Sequence, residues 1–379
     1  MNKIFKLHNQ IKNYEWGSPQ ILPEFLNLEN KDNIPFAEMW MGTHKGAPSQ
    51  IQTDDKLINL SEINGQLPFL LKMIAIEKPL SIQAHPNREQ ALEGFNKEEA
   101  IGIAVDAPQR NYKDSNHKPE VICAIKPITL MAGFRQPQSI AESLESLLLM
   151  QPALKEIIMP LICTLKSDSL SYFFRILFNL SNEDKEYLCS FIKNCPAGGV
   201  ITNEQWKLMK KFAGLYPKDP AIMSPLYLNI LTLQAGQAIF VPAGILHAYT
   251  SGFGVELMSS SDNVLRGGLT PKYVDIEELM KVLQFTPFIP QIISPSAGEK
   301  WFCYHTSCDE FLLGFMRCNN NDKNIFPGNC PAICIVTEGE LKAGDMVFKK
   351  GDSFFISEKL LFEGNFTLFA ASICEKNPV

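Results

Sequence analysis

In the stretch KPLSIQAHPN, residues 78–87, a glutamine and a histidine stand two residues apart at Gln83 and His85. Side chains alternate along a strand, so Ser81, Gln83 and His85 share one face and Leu80, Ile82 and Ala84 the other. A face of hydroxyl, amide and imidazole suits a metal ion or a polar ligand. The chain has only six histidines, at positions 8, 44, 85, 117, 247 and 305. Two more of them lie in suggestive stretches: His117 with Lys118 and Glu120 in NHKPE, and His247 in PAGILHAY. A divalent ion needs about four donors held by a rigid scaffold, and strands supply them well because side chains at i and i+2 project side by side.

The elements that must position these residues are mostly short strands. From residue 1 to about 135, turn-rich breaks at WGSPQ, THKGAPSQ and DAPQRNYKDSNHKPE divide short strands and loops. The period then changes. Ile140, Leu144, Leu147 and Leu148 recur at helical spacing, and SLSYFFRILFNLSNEDKEYLCSFIKNC and TNEQWKLMKKFAGLY continue the pattern. This predicts a helical insert over residues 137–215. Strand character returns from PLYLNILTLQAGQAIFVPAG onward, VDIEELMKVLQF reads as one helix, and FTPFIPQIISPSAGEKW marks a boundary near residues 286–300. A faint internal repeat links AGQAIFVPAG, residues 235–244, to KGDSFFISEK, residues 350–359. No histidine follows the second copy, so the last unit is expected to repeat the architecture without the chemistry. The fold class is therefore mainly β with a helical insert (α+β). The expected units are residues 1–136 with 216–285, the insert 137–215, and a second β unit 286–379.

Composition narrows the function classes. A chain of 379 residues with 45% hydrophobic and 20% charged residues is an ordinary globular protein of two or three domains. With 35 basic against 41 acidic residues, a net charge of -6 and no basic run, nucleic acid and anionic membranes are not expected as partners. A small anion could still be held by two or three local cations. The ten cysteines, at 123, 163, 189, 195, 303, 308, 318, 330, 334 and 374, form no C-x-x-C pair, which fits free thiols in a reducing compartment. MNKIFKLHNQIKNYEW lacks the apolar segment of a signal peptide, and no stretch approaches a membrane span. A soluble cytoplasmic protein is expected.

The spacing around His247 carries a resemblance. Gly236, then Pro242-Ala243-Gly244, then His247 follow the second motif of the cupin barrels, with Ser251 where that motif usually has asparagine. Gln83-Ala84-His85 resembles the H-x-H pair of the first cupin motif with an amide replacing one imidazole, and Glu120 lies further along than usual. Those departures, together with YKDSNHKPE, PAGILHAY and SSSDNVLRGGLTPKYVD in this order, resemble the type I phosphomannose isomerases over nearly the whole chain. IKNYEWGS, AEMWMGTH and PAICIVTEGEL extend the likeness to both ends.

The resemblance implies cupin-like jelly-roll barrels: a metal-bearing one, catalytic, and a degenerate C-terminal one without a metal site. It implies a zinc enzyme, one ion per chain, interconverting mannose 6-phosphate and fructose 6-phosphate by proton transfer through an enediol. The metal ligands would be Gln83, His85, Glu120 and His247, a borderline donor set that suits zinc while leaving manganese or cobalt open. Arg266 would stabilise charge on the reacting sugar oxygens. Glu256, Lys118, Asp262 and His117 are the candidates for the proton carrier, with Glu256 and Lys118 ahead and not separated from each other. Ser81, Lys72 and Lys272 would meet the phosphate, where binding energy can orient the sugar carbons. The bland alternatives are an ion pair of Arg266 with Asp262, four residues earlier, and a Lys72 that snorkels from its strand. The functional alternatives are a non-catalytic sugar-phosphate-binding cupin and a cupin enzyme using another metal. The resemblance also suggests a monomer.

Overall fold

Along Phe69–Ile76, Glu120–Phe134 and His247–Ser259 the side chains sort by parity. Leu71, Met73, Val121, Cys123, Val255 and Leu257 enter one core, whereas Ile74, Ile76, Ile122 and Ala124 enter another on the opposite face. The His247–Ser259 strand lies between the other two, with Glu256 in register with Lys72 on one side and Ile122 on the other. Lys72 is in turn opposite Trp40 of the strand Glu38–Gly42. These strands belong to a nine-stranded sheet that includes the short strands Gln83–Ala84 and Leu265–Arg266. The computed structural model describes residues 3–53, 56–167, 169–319 and 322–373, so Cys374 lies outside the described residues. Cys123, Cys163, Cys189, Cys195, Cys308, Cys318, Cys330 and Cys334 are free thiols.

A second, ten-stranded sheet holds the C-terminal strands. Its apolar face, including Leu313, Ile333, Ile335, Phe355 and Phe369, meets Leu71, Val121 and Val255 in one shared core. The two sheets therefore pack face to face, as in double-sheet β folds. The Tyr304 hydroxyl donates to the Gly236 carbonyl at 2.9 Å across this junction. The sheet does not follow the sequence boundary. Ile4–His8 pairs with Ser353–Ile356 through Ile4 and Ile356, so the first strand belongs with the C-terminal strands rather than with those that carry Glu120 and His247.

The internal repeat corresponds to a shared strand order. Glu120–Phe134 pairs with Leu228–Leu233, Ala238–Val241 and His247–Ser259, all antiparallel. In the same way Ala332–Ala343 pairs with Met346–Lys349, Ser353–Ile356 and Leu361–Ser372. Gly236 and Gly351 occupy matching turns at φ 83° and 91°, a conformation that favours glycine. Val241 lies opposite Glu120 and Ile356 opposite Ala332, so an alanine holds the place of Glu120 in the second copy.

Between Glu120–Phe134 and Leu228–Leu233 the first copy carries the helices. They run Pro137–Met150, Lys155–Lys166, Leu170–Phe178, Asn182–Asn194 and Asn203–Leu215, as the periodicity predicts. Helical turns at Pro220–Met223 and Ser224–Tyr227 extend the insert beyond residue 215. Its apolar faces merge with Ile82, Ala84, Leu246 and Ala248 in one core, so the insert backs the strands that carry the histidines. Sequence periodicity misses the helix Arg88–Ala100, which buries only Ala91, Gly94 and Glu98.

Candidate metal centre

Three donors converge where the first copy's strands begin or end. Glu120 opens its strand, His247 opens the next but two, and His85 directly follows Gln83–Ala84. Their ligand atoms lie within 4.8 Å of one another, and all three side chains are at most 1% exposed. His85 Nε2 is 3.2 Å from Glu120 Oε1, and His247 Nε2 is 3.3 Å from Glu120 Oε2. The turn before His247 is tied to the first ligand segment, because the Gly244 amide donates to the His85 carbonyl at 2.8 Å. Gly244 has φ 79°, and a Cβ there would meet Gln284 Cγ and the Val282 carbonyl oxygen at 2.9 Å.

Each imidazole is held by its other nitrogen. His85 Nδ1 donates to the Asn263 carbonyl at 2.7 Å, and His247 Nδ1 donates to the Ile245 carbonyl at 2.9 Å. That turns both Nε2 atoms inward, where both are buried without a hydrogen-bond partner among the described residues. Burial, with the Lys118 charge, pushes the His85 pKa down to about 4, so the ring is neutral near pH 7. For Glu120, burial acts against the carboxylate, but the neighbouring charge, Lys118 foremost, outweighs it and holds the pKa well below the usual range. Two imidazole Nε2 atoms flanking a carboxylate are the donor set a divalent ion requires. Gln83 is in register with His247 on one side and Arg266 on the other, so its place in the strand is beside this centre.

A second polar cluster lies beyond Glu120. Lys118 Nζ is 3.0 Å from Glu120 Oε1, and the Tyr249 hydroxyl donates to Glu120 Oε2 at 3.3 Å. Lys72 Nζ is 3.0 Å from Glu256 Oε2 and 3.6 Å from Glu38 Oε1, and all three side chains are buried. Burial works against the Lys72 ammonium, but Glu256 and Glu38 overcome it and raise its pKa. Burial raises the Glu256 carboxyl above its ordinary value; Lys72 opposes this, and Glu120 and Glu38 add to it. One ammonium is shared by two carboxylates here, so Lys72 is engaged by carboxylates and does not snorkel to solvent.

Arg266 and Lys272 occupy the outer edge. Arg266 is half-buried, makes no ion pair among the described residues, and has its pKa lowered by burial. Its pairing with Asp262 is not found: the Asp262 carboxylate instead lies 3.4 Å from His44 Nε2. Burial, Arg266 and Lys113 together lower the Lys272 pKa, which marks a concentration of positive charge. Ser81 is half-buried two residues before Gln83. The His117 ring is taken by Glu310 at 3.0 Å.

Asn263, Tyr249, Glu38, Lys113 and Glu310 escape sequence reasoning. Asn263 is fully buried; its side chain accepts from the Lys113 and Asp114 amides and donates to the Asp114 and Asn116 carbonyls at 2.8 Å. It therefore ties the loop before Glu120 to His85. The only available signal was its place in SSSDN.

The family model for phosphomannose isomerase type I, catalytic domain, matches residues 4–137. The chain is 38% identical over 373 residues to the mannose-6-phosphate isomerase of Salmonella typhimurium, covering 93% of this chain and 94% of that protein. Identity to the Escherichia coli K12 mannose-6-phosphate isomerase is 34% over 374 residues, with the same coverage. The human mannose-6-phosphate isomerase is 31% identical over 322 residues, 75% of this chain and 74% of that protein. A crystal structure of zinc-bound mannose 6-phosphate isomerase superposes with a TM-score of 0.86 at 32% identity, covering 99% of this chain and 100% of the other. The jelly-roll reading and the isomerase reading thus meet in one conclusion, that this chain belongs to the type I phosphomannose isomerases, the family of mannose-6-phosphate isomerases.

Proposed function

We propose that the protein interconverts mannose 6-phosphate and fructose 6-phosphate by proton transfer between C1 and C2 through an enediol, using one zinc ion per chain. The observation that carries this reading is the pair of buried Nε2 atoms of His85 and His247, without hydrogen-bond partners on either side of Glu120. Buried polar atoms are ordinarily paired, and two bare imidazole nitrogens facing one carboxylate fit a cation. His85, Glu120, His247 and Gln83 would hold the ion. When bound it supplies Lewis acidity toward a sugar oxygen.

The protein's own groups divide the remaining work. Arg266 has no carboxylate to neutralise it among the described residues, so its guanidinium can meet negative charge developing on O1 and O2. Glu256 is the better proton carrier: it is paired with Lys72 as Lys118 is with Glu120, but burial raises its carboxyl above the ordinary value. Lys272, beside Arg266 and Lys113, offers the phosphate a cationic edge away from the metal, and Ser81 adds a hydroxyl. Lys72, flanked by two carboxylates, serves to hold Glu256 rather than the phosphate. Asp262 and His117 are assigned no proton transfer, since His44 and Glu310 engage them. Among the described residues no helix is long and apolar enough to cross a membrane. Free thiols such as Cys163 and Cys189 support a cytoplasmic setting, and the family resemblance suggests a monomer.

The test is a coupled assay for fructose 6-phosphate formed from mannose 6-phosphate, before and after chelation and after zinc is restored. Activity should vanish with the chelator and return with zinc. A fully zinc-loaded protein that binds mannose 6-phosphate without turnover would make it a sugar-phosphate binder. Recovery with iron or manganese but not zinc would make it a cupin enzyme of another metal.

A further inference from the structure

Glu310 lies between the strands Trp301–Tyr304 and Leu312–Cys318 of the C-terminal sheet, yet its carboxylate reaches the metal-bearing one. Its side chain is 14% exposed. It is 3.0 Å from His117 Nε2 and also accepts from the Ser259 hydroxyl and the Arg88 guanidinium. Those partners come from three separate places. Ser259 ends the central strand, Arg88 begins the helix three residues after His85, and His117 precedes Lys118. Burial acts against the carboxylate, but its bonds from His117 and Ser259 hold its pKa below the ordinary value.

The segment containing His117 is therefore pinned twice. Asn263 Nδ2 donates to the Asn116 carbonyl at 2.8 Å, and Glu310 holds the next side chain. Immediately after these two anchors come Lys118 and, two residues later, Glu120, joined at 3.0 Å. We infer that Glu310 is a positioning residue for the isomerase centre: acting through His117, it fixes the segment that brings Lys118 against Glu120. The sheet without ligands thereby supplies a group on which the geometry of the other sheet's centre depends. This inference rests on the function proposed above.

The experiment compares zinc-loaded wild type with Glu310→Ala, His117→Ala, the double variant and Glu310→Gln, reading kcat, KM, zinc content and thermal midpoint. Each alanine variant should lose about 10- to 100-fold in kcat per bound zinc, the range for groups that orient ligands from the second layer. The double variant should be no worse than the more affected single one, because the two act through one contact. Glu310→Gln, whose amide oxygen can still accept from His117 and Ser259, should recover part of the loss. Multiplying losses in the double variant, or a Glu310→Ala enzyme with wild-type kcat per zinc, would overturn the inference. If wild type itself proves inactive, it is the proposed function that fails. The 15N signals of the His117 ring then test the contact alone: they should move in Glu310→Ala, and unmoved signals would refute it.

Discussion

Replacing Lys72 with methionine keeps the length of the side chain and removes its charge, leaving Glu256 and Glu38 buried and without their shared ammonium. The three side chains are 7%, 4% and 7% exposed for Lys72, Glu256 and Glu38, so solvent screens the loss poorly. Removing one partner of a buried ion pair costs about 3–5 kcal/mol. With an unfolding entropy of about 2.1 cal/mol/K per residue, a 379-residue chain has about 0.8 kcal/mol/K at its midpoint, so Lys72→Met should lower the midpoint by about 4–6 °C. The pH dependence has a definite sign. Burial raises the Glu256 carboxyl above its ordinary 4.5, and losing Lys72, which opposes that shift, raises it further. A group with a raised folded pKa takes up a proton on folding, so its contribution is complete below about pH 4.5 and is lost as pH rises through the folded value. The variant's deficit should therefore be smaller at about pH 5.5 than at about pH 8, and adding Glu256→Leu should remove much of it. Differential scanning calorimetry of the zinc-loaded proteins decides the matter. A midpoint loss below about 1 °C, or one identical at both pH values, would refute the reasoning.

Arg266→Met should reduce kcat about 10²–10³-fold, as expected for one group stabilising a developing oxyanion. Its thermal midpoint should hold or rise, because a half-buried guanidinium without a carboxylate partner among the described residues opposes folding. A fall of several degrees with kcat preserved would make Arg266 a structural cation. Asn263→Ala should weaken zinc binding about 10- to 100-fold in competition with a chromogenic chelator, since it frees the loop and the strand end that orient His85. Unchanged affinity would refute this and show that the bond from His85 Nδ1 to the Asn263 carbonyl survives without the side chain.

The centre was largely legible because its donors sit in short chemical motifs: His85 after Gln83, Glu120 after Lys118, and His247 after a Pro-x-Gly turn. Their supports were not, because they act across the sheets. Glu310 lies 193 positions from His117, and Asn263 holds His85 by a backbone oxygen that carries no sequence signature. Lys72 reads in the sequence as a phosphate contact or as a lysine snorkelling from its strand, because Glu256 becomes its partner only through strand register. The expected strand around Gln83 is shorter than its alternation suggests. Leu80 and Ile82 donate instead to the Tyr249 and Gly268 carbonyls, so only Gln83 and Ala84 form ladder pairs. The helix Arg88–Ala100 has too few apolar residues for periodicity to find, although the reciprocal Asn87 and Gln90 cap was a usable start signal.

The helical insert has a consequence for the order of assembly. In the C-terminal copy the strand pair Ala332–Ala343 and Met346–Lys349 closes over two residues, whereas in the metal-bearing copy the matching pair must wait across residues 135–227. If those residues were unstructured, loop closure would cost about 3 kcal/mol more than a two-residue turn. Helices form from local contacts and bring their two ends together, which removes most of that penalty before the strands meet. Glu120 lies before the insert and His247 after it, so the ligand set is expected to be completed only once the helices have folded. Lesions in the insert, far from any ligand, should accordingly register first as protein unable to retain metal.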